Sequence, residues 1–160
     1  MMIADFGDRR DLALERRDRT GEDRRAGRAG DVRLAAEFAV RDLERSTAFY
    51  RDAFALSPAG ELDGMRYFRA AGPDAYVLAL RENDTPGISS VELGIDDPVQ
   101  VDLLHARVKE HAAILMVPAP LGTPGGGYGF AFRDARGRHW RISAGVREHA
   151  DAAQSPDAPY

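Results

Sequence analysis

Residues 35–50, AAEFAVRDLERSTAFY, superpose on residues 90–105, SVELGIDDPVQVDLLH. Ala35 falls on Ser90, Glu37 on Glu92, Val40 on Ile95 and Asp42 on Asp97. An internal repeat of this kind limits the fold more than any single motif, because each copy is one supersecondary unit that buries its apolar face only with help from the other. Both copies open with strict alternation. Leu34, Ala36, Phe38 and Val40 point one way, and Ala35, Glu37 and Ala39 the other. In the second copy Val91, Leu93 and Ile95 oppose Ser90, Glu92 and Gly94. A period of two predicts a half-buried strand.

An aspartate closes each strand and suits a helix N-cap: Asp42 in the first copy, Asp97 in the second. Pro98 fits the first helical position, and Gln100 makes a box-like pattern with Asp97. The predicted helices carry apolar stripes, Leu43, Phe49, Tyr50, Ala53 and Phe54 in the first and Val101, Leu104 and Val108 in the second. Strand signals follow each helix. GMRYFRA and AYVLALRE flank the turn AGPD in the first copy; AAILMVPAP, GYGFAFRD and RHWRISA follow in the second, with DARG as the last turn. The expected fold is α+β, two tandem βαβββ modules at about 32–82 and 87–146, curling into a cupped mixed sheet.

Outside that unit the composition changes. Residues 1–31 are rich in Arg, Asp and Glu of nearly balanced sign and poor in apolar side chains, so a disordered, solvated arm is expected. Residues 147–160, REHADAAQSPDAPY, read as a loose tail. The chain has 22 basic and 26 acidic residues, net charge −4, which argues against a general nucleic-acid binder. The longest apolar run, AAILMV at 112–117, is too short to span a membrane. There are no cysteines, which excludes disulfides and thiolate chemistry. The opening MMIADFGDRRDLALERR lacks the apolar stretch of a secretory signal, which makes the cytoplasm the expected compartment.

Two pieces carry a family likeness: VRDLERSTAFYRDAFAL (40–56) and GFAFRDARGRHWRI (129–142). They resemble the first strand–helix unit and the closing hairpin of the vicinal oxygen chelate superfamily, which holds glyoxalases, bleomycin-resistance proteins and extradiol dioxygenases. YFRAAGPDAYVLALRE (67–82) and APLGTPGGGYGFAFRDARGR (119–138) look most like the N-terminal, metal-free module pair of type I extradiol dioxygenases. The resemblance implies a cup in which ligand and metal sit. Metal-dependent members place ligands at positions that align here with Ala35, Ser90 and Arg141, and a remaining position near Tyr76 or Val77 is no better. Ala and Arg cannot bind a divalent ion. The expectation is therefore no metal by the family pattern and no cofactor.

The residues offer other chemistry for the cup. Glu37 and Glu92 are one two-residue step beyond the aligned ligand positions, on the same strand face. His139 shares the face of Arg141 by alternation. Glu37, Glu92 and His139 are a conceivable Fe²⁺ or Mn²⁺ set; the alternative is an ion-pair cluster with Arg33, Arg138 or Arg141. Arg141 has the two-pronged donor geometry for an anionic ligand, or else it pairs with a glutamate. Tyr128, where the last hairpin begins, is a candidate cup wall, whereas Tyr76 and Trp140 read as core. His105, His111 and His149 form no ligand set. The run GTPGGGYG (122–129) lacks the Gly-Lys-Ser/Thr of a phosphate loop and reads as a flexible loop over the cup mouth.

Three functional readings follow. The first is a metal-independent protein that binds a small aromatic or apolar molecule. The second is a dioxygenase, glyoxalase or related lyase or isomerase using Glu37, Glu92 and His139. The third is a subunit for a catalytic partner. A homodimer is expected by analogy.

Overall fold

Asp42 and Asp97 both cap helices through their side chains. Asp42 accepts from the Arg45 amide (2.8 Å) at the start of α1 (Leu43–Phe54), and Asp97 accepts from the Val99 amide (2.9 Å) at the start of α2 (Pro98–Val108). Each satisfies an amide that the helix itself leaves without a partner. The computed structural model describes residues 32–149. The charged arm, 1–31, and the end of the tail, 150–160, lie outside the described residues.

The strands preceding these helices are β1 (Arg33–Val40) and β5 (Gly87–Ile95), and they pair antiparallel at the centre of an eight-stranded sheet. After α1 come β2 (Ser57–Leu62), β3 (Met65–Arg69) and β4 (Leu78–Glu82); after α2 come β6 (Ala113–Pro120), β7 (Tyr128–Arg133) and β8 (His139–Ala144). The sheet order is β2-β3-β4-β1-β5-β8-β7-β6. β4 lies parallel to β1, and β8 parallel to β5. The two βαβββ modules are thus related by a pseudo-two-fold between β1 and β5. The central register states that symmetry: Glu37 stands opposite Ser90, and Ala35 opposite Glu92.

Alternation along the strands separates two faces. One face is backed by the helices. Under α1, Phe68, Leu78 and Leu80 are buried with Phe38, Val40, Leu43 and Tyr50 against them. Under α2, Val101, Phe130, Ile142 and Ala144 are buried with Leu93, Leu104 and Val108 packed on them. The other, concave face of the first module carries Ala35, Met65, Tyr67, Ala75, Tyr76 and Ala79.

Four local expectations need correction. The third strand that the βαβββ plan requires after α1 has no segment assigned to it from the sequence; SPAGEL forms it as β2, an almost wholly exposed edge strand with an irregularity between Pro58 and Gly60. Its few apolar residues and its proline hide it, and pairing with β3 supplies what propensity does not. The α1 stripe narrows to Leu43 and Tyr50, since Phe49, Ala53 and Phe54 are exposed. The glycine run is no open flap. Gly125, Gly126 and Gly127 all have positive φ, and a Cβ on Gly125 would come within 2.8 Å of Ala75 and of the Arg147 carbonyl. Only glycine combines that backbone with that approach. The run is stitched down by Gly126 N–H to Thr123 O, Leu121 N–H to Gly127 O and Arg147 N–H to Gly125 O. Residues 147–149, read as the start of a loose tail, are also tied back, His149 N–H donating to Pro73 O at 2.8 Å.

Candidate functional site

The concave face converges on Glu92, whose residue surface is 9% exposed. Burying a carboxylate is unfavourable unless its oxygens are met by donors. Three side chains meet them. Tyr76 Oη donates to Oε2 at 2.6 Å, Ser143 Oγ donates to Oε1 at 2.6 Å, and the Arg141 guanidinium lies 3.3 Å from Oε2. The donors come from β8 and the irregular stretch before β4, and Glu92 itself from β5. Arg141 and Ser143 are two residues apart on β8, so both project to the concave side beside Glu92, which Arg141 faces across the parallel β5–β8 ladder.

The electrostatics follow from this enclosure. Burial alone disfavours the charge on Arg141, but the Glu92 carboxylate and the neighbouring Tyr76 and Glu37 outweigh it and hold its pKa above the ordinary arginine value. Tyr76 is pushed well above the usual phenol range, first by burial and then by the adjacent Glu92 charge and the hydrogen bond to it. Thr123 Oγ1, buried without a hydrogen-bond partner, stands near the same phenol and opposes that shift weakly. Arg141 Nε is likewise buried without an acceptor.

Tyr76 makes the fold sensitive to alkali. Unfolded tyrosine ionises near about pH 10, and the folded phenol ionises later, so its contribution is complete below that pH. It is lost as the pH rises towards the folded value. Tyr76→Phe is expected to flatten the fall of unfolding free energy above pH 10, measured by urea titrations at several pH values; an unchanged slope would place the effect elsewhere, with Tyr67, also raised by burial, as the next group.

The five sequence candidates separate. Glu37, Glu92 and Arg141 are brought together. Glu37 accepts from Ser90 Oγ at 3.3 Å and lines the same small cleft as Glu92, Arg141, Tyr67 and Tyr76. Tyr128 is no cup wall: with Phe130 and Phe132 it faces α2, where its hydroxyl donates to Asp102 at 3.0 Å. Even-numbered β7 residues point to the helix side, and Gly129 and Ala131 to the cup. His139 keeps the parity of Arg141 but is exposed, paired with Arg133 where the β7–β8 turn begins. Two residues of strand carry it about 6–7 Å from Arg141, beyond the sheltered face. Of the arginines considered as partners, only Arg141 pairs with Glu92. Arg33 donates to Val146 O, and Arg138 pairs with Asp134 at 2.8 Å.

Sequence reasoning missed two members. Ser143 was within reach, because it repeats the face of Arg141 one step on. Tyr76 was not, because it precedes β4 outside any alternation. It is buried core as expected, yet its hydroxyl belongs to the site.

The donor set does not fit a divalent cation in the family manner. Ala35 offers no donor atom, Arg141 brings a positive charge, and Ser90 already donates to Glu37. Among the described residues no three His, Asp or Glu side chains gather as a metal site, so Glu37, Glu92 and His139 do not form one set. The two clefts on either side of Glu92 have free volumes of about 10 and 20 Å³, room for about one water each. Among the described residues no helix is long and apolar enough to cross a membrane.

Comparison with known proteins agrees with this architecture. The Mn(II)-bound glyoxalase from Novosphingobium aromaticivorans is 36% identical, with a TM-score of 0.69 over 74% of this chain and 40% of that one. The 2,3-dioxygenase LapB from Pseudomonas sp. KL28 is 25% identical, TM-score 0.64, over 73% of this chain and 41% of that one. Homoprotocatechuate 2,3-dioxygenase from Arthrobacter globiformis shares the fold at 23% identity, TM-score 0.64, over 76% and 38%. The chain thus spans about 40% of the length of these solved structures. No curated protein matches it. Residues 33–142 match the family model described as Glyoxalase/Bleomycin resistance protein/Dioxygenase superfamily, and with the paired modules around one curved sheet the chain belongs to that superfamily.

Proposed function

We propose that this chain is a metal-independent member of the superfamily that binds a small, largely apolar molecule. One observation carries the reading: Arg141, at the position aligned with a family metal ligand, forms an ion pair with Glu92 on the floor of the cup. A fixed cation there disfavours a second one, and Glu92 has both oxygens engaged by protein donors. The apolar lining of Ala35, Met65, Tyr67 and Ala79 suits an uncharged ligand body. The clefts beside Glu92 have room for about one water each, too little for such a ligand unless side chains move.

A specific observation favours a second reading, a metal-dependent lyase, isomerase or dioxygenase: the 36% identity to a Mn(II)-bound glyoxalase. That likeness covers 40% of the relative. The same measurement decides between the two. Protein incubated with Fe²⁺, Mn²⁺ and Zn²⁺, then desalted, is expected to carry only background metal by plasma mass spectrometry. Near one equivalent of retained ion, lost on Glu92→Ala, would replace the binding reading with the enzymatic one. A homodimer and a cytoplasmic location fit either reading, and a size-exclusion mass of one chain would remove the first.

A further inference from the structure

A second concavity lies at the opposite end of β5 from α2. It is a cleft of about 480 Å³ between the start of β5 (Ile88, Ser89, Ser90, Val91) and the β7–β8 turn with the start of β8 (Arg136, Arg138, His139, Trp140). That volume falls in the range of small-ligand sites, whereas the clefts beside Glu92 are far smaller. Its chemistry is two-sided. Ile88, Val91 and the face of Trp140 give it an apolar wall. Arg136, Arg138, His139 and Ser89 give it donors, and no acidic side chain is among its lining residues. In a chain of net charge −4 this is a local concentration of positive charge.

The donors are held in different ways. Asp134, nearest in sequence, is already engaged by the Arg136 and Arg138 amides, Arg138 Nε and the Trp140 indole N–H. Its acidity is strengthened by those bonds, the Arg138 amide foremost. Arg138, so anchored, lies over the Trp140 ring with its guanidinium carbon 5.9 Å from the centroid. The Arg136 guanidinium, by contrast, makes no ion pair or hydrogen bond among the described residues. Among the described residues it is a lining cation of the cleft without a partner. Ser90 lines both this cleft and the one holding Glu37, so the cleft abuts the floor of the cup.

Resting on the small-molecule reading above, we propose that this cleft is the ligand site and that its ligand is an organic carboxylate with an apolar ring or chain. The ring lies on Trp140 and Ile88, and the carboxylate meets Arg136, with His139 and Ser89 beside it. Arginine recognises a carboxylate through two parallel N–H donors, and the apolar wall is needed to distinguish such a ligand from inorganic anions.

Trp140 is the only tryptophan of the chain, so its fluorescence reports on this cleft alone. The full chain is titrated with cyclohexanecarboxylate and with its neutral counterpart cyclohexanemethanol, for the native protein and for Arg136→Gln. The Arg136 side chain makes no hydrogen bond or ion pair among the described residues, so that variant is expected to keep the cleft intact. A saturable change with the carboxylate is expected, about tenfold weaker for the alcohol and about tenfold weaker in the variant, as loss of a charge-assisted bond dictates. Equal affinity for acid and alcohol, an unaffected variant, or no saturable Trp140 response overturns the assignment. Amide chemical shifts separate the two proposals. Changes at Met65, Tyr67 and Ala79 with Trp140 silent would retain the binding reading and discard this cleft. No change anywhere with either probe would count against both.

Discussion

Glu92→Leu is expected to destabilise the protein by about 3 kcal/mol, the lower end of the range for removing one partner of a buried ion pair. The choice of the lower end follows from exposure: the Arg141 side chain retains a quarter of its surface in solvent, so water partly replaces the lost carboxylate. Tyr76 and Ser143 lose their acceptor at the same time, and Ser143 is only 1% exposed. Each stranded donor adds to the cost. Arg141→Met should cost less, about 2 kcal/mol, because Glu92 keeps two hydroxyl donors. The double variant should be more stable than the sum of the single losses predicts, by about 1 kcal/mol or more, since neither charge is then left alone. Urea denaturation of the four proteins measures all of this. Strict additivity would mean that the 3.3 Å contact contributes little, and that Tyr76 and Ser143 alone sustain the carboxylate.

Phe130→Ala is expected to cost about 3–5 kcal/mol, the range for deleting a fully buried ring. Phe130 has no exposed surface and sits on β7 under α2, against Val101, Ile142 and Ala144. Its ring also meets His105 edge-on at 5.4 Å and stacks with Phe132 at 5.8 Å. The neighbouring residues are anchored to a capped helix and to the β7–β8 pairing, which limits collapse into the vacancy. The loss is read as a fall in the urea midpoint with little change in m. A cost below about 1 kcal/mol would mean that α2 settles into the space. Because Phe130 is not among the residues that line the Trp140 cleft, the Trp140 titration should survive in this variant wherever the protein remains folded.

The architecture was legible in the sequence because its two determinants are local and occur twice. Alternation in 34–40 and 90–95 sets which side chains share a face, and Asp42 and Asp97 start the helices through hydrogen bonds spanning two or three residues. The repeat then implied a symmetric pairing, which the register of Glu37 with Ser90 and of Ala35 with Glu92 makes concrete. β2 escaped notice because SPAGEL holds no such local signal and depends on its neighbour β3.

The site was legible only in part. Parity within each strand, combined with the internal repeat and the resemblance that aligned Ala35, Ser90 and Arg141, was enough to group Glu37, Glu92 and Arg141 on one face. Parity also grouped His139 with Arg141 and could not see that the sheet ends between shelter and solvent at that point. It gave Tyr128 no face, because the strand's direction relative to α2 is fixed by packing. Tyr76 joined Glu92 through a stretch with no regular period, and which arginine paired with which acid was settled by separations across strands distant in sequence. The sequence by itself determined the paired modules and the helix starts, consequences of residue type and short-range spacing. Tertiary structure alone decided that Glu92 is buried among Tyr76, Ser143 and Arg141, and that His139 and Trp140 line a separate cleft, because burial and charge pairing depend on which strands the fold brings side by side.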